Sequence, residues 1–265
     1  MEKQNDTFAA LDKVVHARFT EFMDTSSPLQ SASVYRQTLF DLLEVLSGAT
    51  LLDVGCGAGD DVQDLARLVG PSGRVVGVDS NATMIQLARA RTADAHLPVE
   101  YLQEDAYQLP FEENTFDGCQ SSRVFKHLAE PGLALAEMVR VARPGARIAV
   151  ADADVDLTIV DIPDRALVRK MINLASDSVQ QGWMGRQLPR LFSESGLCDI
   201  VTNGMVQPSD YDSLEMVFDG LLQDAQVVGK VSSEEMNRFL DLLVQAERQQ
   251  RFLGHVCFVV CGRKP

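Results

Sequence analysis

The chain has 265 residues, of which 46% are hydrophobic and 23% are charged, and its formal net charge at pH 7 is -14. This length fits one large α/β domain with insertions, and the ordinary hydrophobic content leaves no long stretch unable to fold. The dispersed negative charge would repel a phosphate backbone, which argues against nucleic acid as a substrate.

The first twenty residues mix acidic and basic side chains and lack the apolar run of a signal peptide. No later segment has about eighteen consecutive apolar residues, so we expect no membrane span and a cytoplasmic protein. The cysteines are scattered and odd in number, which favours buried free thiols over disulfides or a metal site. They are Cys56, Cys119, Cys198, Cys257 and Cys261.

Apolar residues at three- and four-residue steps predict a first helix over about 6–23 and a second over about 33–46. From residue 50 onwards, short β-branched runs alternate with helical patterns, which is typical of βαβ units and a mostly parallel, doubly wound sheet. The predicted strands are 50–54, 74–78, 99–102, 116–120, 146–151, 197–206 and 254–262. The further predicted helices are 59–69, 81–92, 131–142, 163–181, 186–195, 211–228 and 232–250.

A glycine-rich loop at 55–59 (GCGAG) follows the first strand directly and is itself followed by a helix. Open α/β sheets bind ligands at such a turn, because glycines without Cβ let the backbone lie against a ligand. The dinucleotide fingerprint G-x-G-x-x-G would need glycine at position 60, where the chain has Asp60. The second strand ends in Asp79 and the third is followed by Asp105, so three strand ends converge on one adenosyl ligand.

These segments resemble the class I S-adenosylmethionine-dependent methyltransferase family, in its small-molecule type 11 branch. LLDVGCGAGD is similar to the family's first motif, VVGVDSNATMI to its second, and EDAYQLPFEENTFD to its adenine-binding segment. VARPGARIAVAD is similar to the turn into the fifth strand, with Ala146 where a second glycine is common. The resemblance covers about residues 36–152. It implies a Rossmann-like, seven-stranded sheet with an antiparallel last strand and added lid helices, and S-adenosyl-L-methionine as cofactor.

Carried over position by position, the resemblance assigns the three loop glycines to the methionine moiety, Asp79 to the ribose, and Asp105 with Ala106 to adenine. Arg36 would face the cofactor's carboxylate, where a charge-assisted pair can form. Structural interpretations stay open, since Asp79 could cap a helix, Asp105 could hold a turn and Arg36 could lie on a solvated face. The full set of expected cofactor-binding residues is Arg36, Asp53, Gly55, Gly57, Gly59, Asp79, Ser80, Met84, Asp105, Ala106 and Ser121.

Methyl transfer from a sulfonium needs mainly a well-placed acceptor, and a general base helps when the acceptor atom carries a proton. The segment after the fourth strand borders the transferable methyl, and of the four histidines only His127 is expected on this rim. His127 is either a general base or a histidine that bonds backbone at a helix end. Arg123 either positions the acceptor or forms a structural ion pair.

The acceptor pocket is expected to include Phe19, Asp154, Trp183 and Met184, although packing roles remain an alternative for the aromatic residues. Asp152, Asp154 and Asp156 follow the fifth strand and are expected to alternate in direction, so that they do not all face one pocket. No metal is expected, because no histidine or cysteine accompanies these carboxylates at ligand spacing.

The expected organisation is a lid of N-terminal helices in 1–47, a cofactor-binding core of 48–206 with 254–265, and a helical insertion, 207–253, that contributes to the substrate pocket. The predicted function is methyl transfer to an oxygen or nitrogen atom of a small organic metabolite, in secondary metabolism, by a monomer or homodimer. One alternative is a binder, isomerase or cyclase that keeps the fold without methylating. A protein or tRNA methyltransferase is a weaker alternative, since no basic run is present.

Overall fold

The computed structural model describes residues 30–212 and 229–265, together with residues 214, 218 and 226 between them. The predicted helix 6–23, the pocket residue Phe19 and most of the predicted helix 211–228 therefore lie outside the described residues. The strands of the sheet are β1 (Thr50–Val54), β2 (Arg74–Asp79), β3 (Val99–Gln103), β4 (Phe116–Ser122), β5 (Ala142–Val160), β6 (Cys198–Pro208) and β7 (Leu253–Arg263).

The seven strands form one sheet in the order β3-β2-β1-β4-β5-β7-β6. The first five pair in parallel, whereas β7 pairs antiparallel with both β5 and β6. The predicted seven-stranded, mostly parallel sheet with an antiparallel last strand is thus confirmed. Its order changes direction at β1, and ligands bind at the carboxyl ends of the strands beside such a reversal.

Helices cover both faces of the sheet, as the alternating pattern predicts. The helices are α1 (Gln30–Leu43), α2 (Asp60–Val69), α3 (Ala82–Thr92), α4 (Pro131–Val141), α5 (Arg165–Ser178), α6 (Met184–Glu194) and α7 (Ser233–Arg248), with a 3-10 turn at Phe125–His127. Local caps fix several starts. Asn81 accepts hydrogen bonds from the N–H groups of Thr83 and Met84, and Ser232 and Glu235 form a reciprocal capping box.

The apolar core has one cluster on each face of the sheet. Leu52, Val54 and Val150 belong to the cluster that packs against α4 and α6. Leu51 and Val75 belong to the cluster that packs against α1, α2 and α3. Because consecutive strand residues point to opposite faces, the neighbours Leu51 and Leu52 serve different cores.

A third apolar cluster lies where α5 packs on α7, beside the far end of β5. Phe218 and Phe239 meet there edge to face, with ring centroids 4.9 Å apart, and both are buried. These two aromatic residues of the insertion therefore pack against each other in a core that the insertion shares with α5. Lys170 and Glu235 join α5 to α7 through an ion pair of 2.6 Å.

β5 is the element that departs most from the prediction, because it runs from Ala142 to Val160 and not from 146 to 151. Its far end pairs with β7 as far as Val160 opposite Leu253, after an irregularity between Asp154 and Ile159. Pairing with β7 extends β5 beyond the core of the sheet. The sequence of β5 alone does not reveal this partner strand, so its full length was not predicted.

All five cysteines are free thiols, and four of them are buried, in agreement with the prediction. Within the described ranges, no helix combines the length and the apolar character that a bilayer crossing requires.

Candidate functional site

The glycine loop between β1 and α2 has an open face above Gly57. All three glycines have positive φ: 77° at Gly55, 51° at Gly57 and 85° at Gly59. A Cβ on Gly55 would overlap the side chain of Val124, and one on Gly59 would lie 2.6 Å from the hydroxyl of Tyr101. A Cβ on Gly57 would meet nothing within 4 Å. The protein's own packing thus requires two of the glycines, and the third borders free space.

Asp79 fastens this loop to the end of β2. Its Oδ2 accepts a hydrogen bond of 2.9 Å from the N–H of Gly57, and its Oδ1 accepts one of 2.8 Å from the N–H of Asn81. Asn81 itself caps α3, so Asp79 supports the helix start from two residues further back. A carboxylate has about four lone-pair sites, so these two bonds leave room for ligand hydroxyls.

The next strand end carries the residues expected at adenine. Asp105 is exposed, and its Oδ1 accepts a hydrogen bond of 2.9 Å from the N–H of Tyr107, which is the turn-holding role left open above. Met84 is 6% exposed on α3, while Ser80 is exposed at the strand end. Their contacts with adenosine remain predictions.

Buried polar atoms without partners lie below the loop, on the face of the sheet that α1 covers. Asp53 is 2% exposed and pairs in register with Gln120 on β4. Within the described residues, Asp53 Oδ1, both amide atoms of Gln120 and Ser122 Oγ are buried without a hydrogen bond. Burial raises the pKa of Asp53 well above its usual range, and the charge of Asp61 raises it further. Such atoms are costly unless a ligand satisfies them.

Two other predicted cofactor residues have protein partners already. Arg36 on α1 lies 2.6 Å from Asp61, measured from Nε to Oδ1, and 3.2 Å from Asp64, measured from Nη1 to Oδ2. The buried Ser121 donates its hydroxyl to the carbonyl oxygen of Val54 at 2.7 Å, which ties β4 to β1 beside the loop. Any ligand contact of Arg36 would be shared with the two carboxylates.

The segment after β4 forms the rim of the site. Lys126 lies 3.1 Å from the buried Asp152, measured from Nζ to Oδ1, and its backbone N–H also donates to that carboxylate at 2.9 Å. Arg123 is half-buried with φ 63°, and its N–H donates to the carbonyl oxygen of Ala151 at 2.8 Å. The rim is thus anchored on β5.

His127 lies on this rim in the 3-10 turn, and its backbone N–H donates to the carbonyl oxygen of Val124 at 2.9 Å. Burial of the ring and the positive charge of Lys126 lower the pKa of His127 to about 4. More than a third of the residue is exposed, so solvent screens part of this effect. The imidazole is neutral at pH 7 and can accept a proton or a hydrogen bond.

The expectation that His127 is the only histidine on the rim is wrong. His255 is near the start of β7, and because that strand is antiparallel, its start lies at the carboxyl edge of the parallel strands. Its Nδ1 lies 3.1 Å from Ser209 Oγ. Burial and the charges of Lys126 and Arg123 lower the pKa of His255 to about 4. The antiparallel direction, already implied by the resemblance, was the signal that could have found it.

The expectation that the three aspartates of β5 diverge is also wrong. Side chains two residues apart on a strand share a face, and Arg186 accordingly binds Asp154 at 2.5 Å and Asp156 at 3.2 Å. Asp152 lies on the same face, where it pairs with Lys126. All three face the side of the sheet that carries α6.

The other predicted pocket residues have structural partners in this region. Met184 is 1% exposed in the core under α6, whereas Trp183 is 51% exposed. The guanidinium of Arg186 stacks on the Trp183 ring, 4.8 Å from its centroid. The placement of Asp154, Trp183 and Met184 in an acceptor pocket remains a prediction.

The residues at this edge of the sheet suit S-adenosylmethionine in their hydrogen-bonding groups. The free space over Gly57 leaves room for the methionine chain against the backbone. The remaining lone pairs of Asp79 can accept hydrogen bonds from a ribose, and the unpartnered atoms around Asp53 can bind an amino group. Among the described residues, no group of three or more histidine, cysteine or acidic side chains could hold a metal ion.

Comparison with known proteins places the central part of the chain in a family. Residues 52–150 match the type 11 family model described as "Methyltransferase domain". The chain thus carries a class I methyltransferase domain of the type 11 branch, as the resemblance implied. The match also supports S-adenosylmethionine as the cofactor.

Curated relatives match part of their own length. An uncharacterized 37.1 kDa protein of transposon TN4556 from Streptomyces fradiae is 39% identical over 177 residues, which is 66% of this chain and 51% of the relative. A 2-phytyl-1,4-naphtoquinone methyltransferase from Thermosynechococcus vestitus is 42% identical over 119 residues, which is 45% of this chain and 52% of the relative. The chain spans about half the length of these two relatives.

Solved structures share the fold at low sequence identity. The YcgJ protein from Bacillus subtilis superposes with a TM-score of 0.63 at 17% identity, covering 86% of this chain and 97% of that one. The [4+2]-cyclase SpnF superposes with a TM-score of 0.57 at 19% identity, covering 87% of this chain and 80% of that one.

Proposed function

We propose that this protein is an enzyme that transfers the methyl group of S-adenosylmethionine to a small organic acceptor. The observation that carries the proposal is the loop at the end of β1, where the Gly57 backbone borders free space beside Asp79. The family of residues 52–150 supports the same function.

The cofactor contacts we assign are those that the free atoms of the site allow. Gly57 would lie against the methionine chain, Asp79 would accept hydrogen bonds from the ribose hydroxyls, and Met84 with Ala106 would border adenine. Asp53 would face the amino group. When bound, S-adenosylmethionine supplies a methyl group that its sulfonium has already activated.

The chain's own residues then have to hold the acceptor behind that methyl group and orient its hydroxyl or amino group, whose proton passes to water. Our candidates for contacting the acceptor are two neutral imidazoles at this edge of the sheet, His127 after β4 and His255 near the start of β7. His255 has its Nδ1 near Ser209, which holds the ring in place and leaves Nε2 for the acceptor. With a pKa of about 4, each ring is a hydrogen-bond acceptor that orients a hydroxyl group better than it removes a proton.

The acceptor is a small organic molecule with an oxygen or nitrogen atom as the methyl-accepting group. A ring carbon is a second candidate for that group. It is favoured by the naphthoquinone methyltransferase relative, since a carbon beside an ionised hydroxyl group is also a nucleophile. The net charge of -14 argues against nucleic acid, as before.

Two measurements test the proposal. Calorimetry with S-adenosylmethionine and S-adenosylhomocysteine measures cofactor binding, and incubation with 1,4-dihydroxynaphthalene followed by mass spectrometry looks for a product heavier by one methylene unit. The product's position, on oxygen or on ring carbon, separates the two acceptor atoms. Failure of both cofactors to bind would refute the proposal.

A protein that uses the same site without methylating is the competing function, and the structural likeness to the SpnF cyclase favours it. That alternative requires cofactor binding without a methylated product across a broad extract of small metabolites. The variants His127→Gln and His255→Gln add a second readout. We expect each to lower turnover by roughly tenfold or more and to leave the affinity for S-adenosylhomocysteine unchanged.

A further inference from the structure

Arg123 is a half-buried cation at the mouth of the site, and the described part of the chain offers its guanidinium no hydrogen bond and no ion pair. Its backbone is well held, since its N–H donates to Ala151 and its carbonyl oxygen accepts from Lys126 Nζ at 3.3 Å. A guanidinium carries five donors and stays charged at any physiological pH. A half-buried guanidinium with no partner among the described residues is therefore suited to an anion.

The backbone at Arg123 places this cation beside the glycine loop. Its φ of 63° is in the left-handed region, which costs a residue with a Cβ about 1 kcal/mol or more. The turn brings the following residue, Val124, against Gly55, where a Cβ would have no room. The backbone is therefore locally strained where the segment after β4 contacts the glycine loop.

The charge of Arg123 acts on ionisable groups of three neighbouring elements. Burial raises the pKa of Tyr35 on α1, and the charge of Arg123 opposes that rise. Burial also raises the pKa of Asp60 at the start of α2, and the charges of Arg36 and Arg123 oppose it in that order. Burial, the charge of Lys126 and the charge of Arg123 also lower the pKa of His255 on β7, in that order.

The other arginine near the loop is already neutralised. Arg36 contacts two carboxylates, those of Asp61 and Asp64, and its side chain is 16% exposed. A third carboxylate brought to Arg36 would be repelled by both of these partners. The methionine end of the cofactor carries one ammonium and one carboxylate. The unpartnered Oδ1 of Asp53 can accept a hydrogen bond from the first, and Arg123 offers a positive charge to the second.

We propose that Arg123, and not Arg36, binds the carboxylate of S-adenosylmethionine. The inference rests on the proposed function, because it assumes that the cofactor lies on the Gly57 loop. It replaces the role that the sequence suggested for Arg36. Arg36 instead fixes α1 to α2 through Asp61 and Asp64.

The test compares S-adenosylmethionine with its decarboxylated form, which keeps the adenosine, the sulfonium and the amino group. Calorimetry gives the affinity of each for the wild type, Arg123→Gln, Arg123→Asn and Arg36→Gln. We expect the wild type to prefer the carboxylated form by roughly 10- to 100-fold, the range for a charge-assisted hydrogen-bonded pair. In both Arg123 variants this preference should vanish, with the affinity for the decarboxylated form unchanged.

Each other outcome is decisive. Equal losses for both cofactors in the Arg123 variants, or no loss, would overturn the proposal, and so would loss of the preference in Arg36→Gln alone. Asparagine tolerates the left-handed backbone, so it is the variant that preserves the turn. If neither Arg123 variant folds, a preference retained in Arg36→Gln supports the proposal, and its disappearance refutes it. A wild type that binds neither cofactor would refute the proposed function itself.

Discussion

A methyl group added at Gly57 should block the cofactor while leaving the fold intact. Gly57 has φ 51°, and a Cβ there meets no protein atom within 4 Å. The left-handed backbone costs alanine about 1–2 kcal/mol. Alanine also reduces the conformational entropy of the unfolded chain, which favours the folded state by about 0.4–1 kcal/mol. The net effect of Gly57→Ala should be a free energy of unfolding lower by roughly 1 kcal/mol. Its N–H group can still donate to Asp79.

Two matched variants separate strain from ligand blocking. Gly145 has φ 83° and also has nothing within 4 Å, but it lies at the opposite edge of the sheet, so Gly145→Ala reports the backbone cost alone. Gly55→Ala must in addition displace Val124, and overpacking of this kind costs roughly 1–3 kcal/mol more. Urea unfolding measures the three stabilities.

Calorimetry with S-adenosylhomocysteine then gives the decisive comparison. We expect Gly57→Ala to lose at least about tenfold in affinity, since a contact made on bare backbone cannot accommodate the extra methyl group. Gly145→Ala should bind as the wild type does. A folded Gly57→Ala protein with wild-type affinity would show that the open face of the loop is not where the ligand lies.

Three further predictions concern the rim and the acceptor side. Arg186→Met should lower the free energy of unfolding by about 2–3 kcal/mol in urea denaturation, because it leaves the buried Asp154 unpaired; a change below about 0.5 kcal/mol would contradict the pairing. Lys126→Met should also lower the free energy of unfolding, because it leaves the buried Asp152 without its ion pair. The double variant Lys126→Met with Asp152→Asn should recover part of that stability, since it removes the unpaired charge. For His255, the folded pKa of about 4 lies below the ordinary 6.5, so the unfolded chain binds more protons between these values and stability falls as pH is lowered from 7 to 4. His255→Gln should flatten this part of the stability profile, and an unchanged profile would contradict the assignment.

The regular alternation of strand and helix patterns made most of the fold predictable. Six of the seven strands lie within two residues of their predicted ends, because apolar runs and turn glycines mark them directly. The far half of β5, in which aspartates alternate with apolar residues, was missed because its place in the sheet depends on β7 and Arg186. The pairing of strands that are distant in the chain cannot be predicted from local sequence periodicity.

The cofactor edge was more predictable than the acceptor edge, and the reason is again physical. Gly57 follows β1 directly and Asp79 ends β2, the next strand in the chain and its parallel neighbour, so both belong to one βαβ unit that local sequence patterns predict. His255 reaches the rim from the end of the chain, and the state of Arg36 depends on charges contributed by α2. The sequence could propose Arg36 as an anion site, but its two carboxylate partners become visible only in three dimensions.

The reversed direction of β7 has a consequence for how this protein can change. β6 ends and β7 begins at the same edge of the sheet, with Pro208 opposite Gly254, so the intervening segment leaves and re-enters the sheet at the edge that carries the glycine loop. That stretch can be lengthened, shortened or replaced without shifting the register of any strand that carries the glycine loop. We therefore expect its length and composition to vary without disturbing the fold around the glycine loop. A chimera that exchanges residues 209–252 with those of a relative should keep its affinity for the cofactor and acquire a different acceptor.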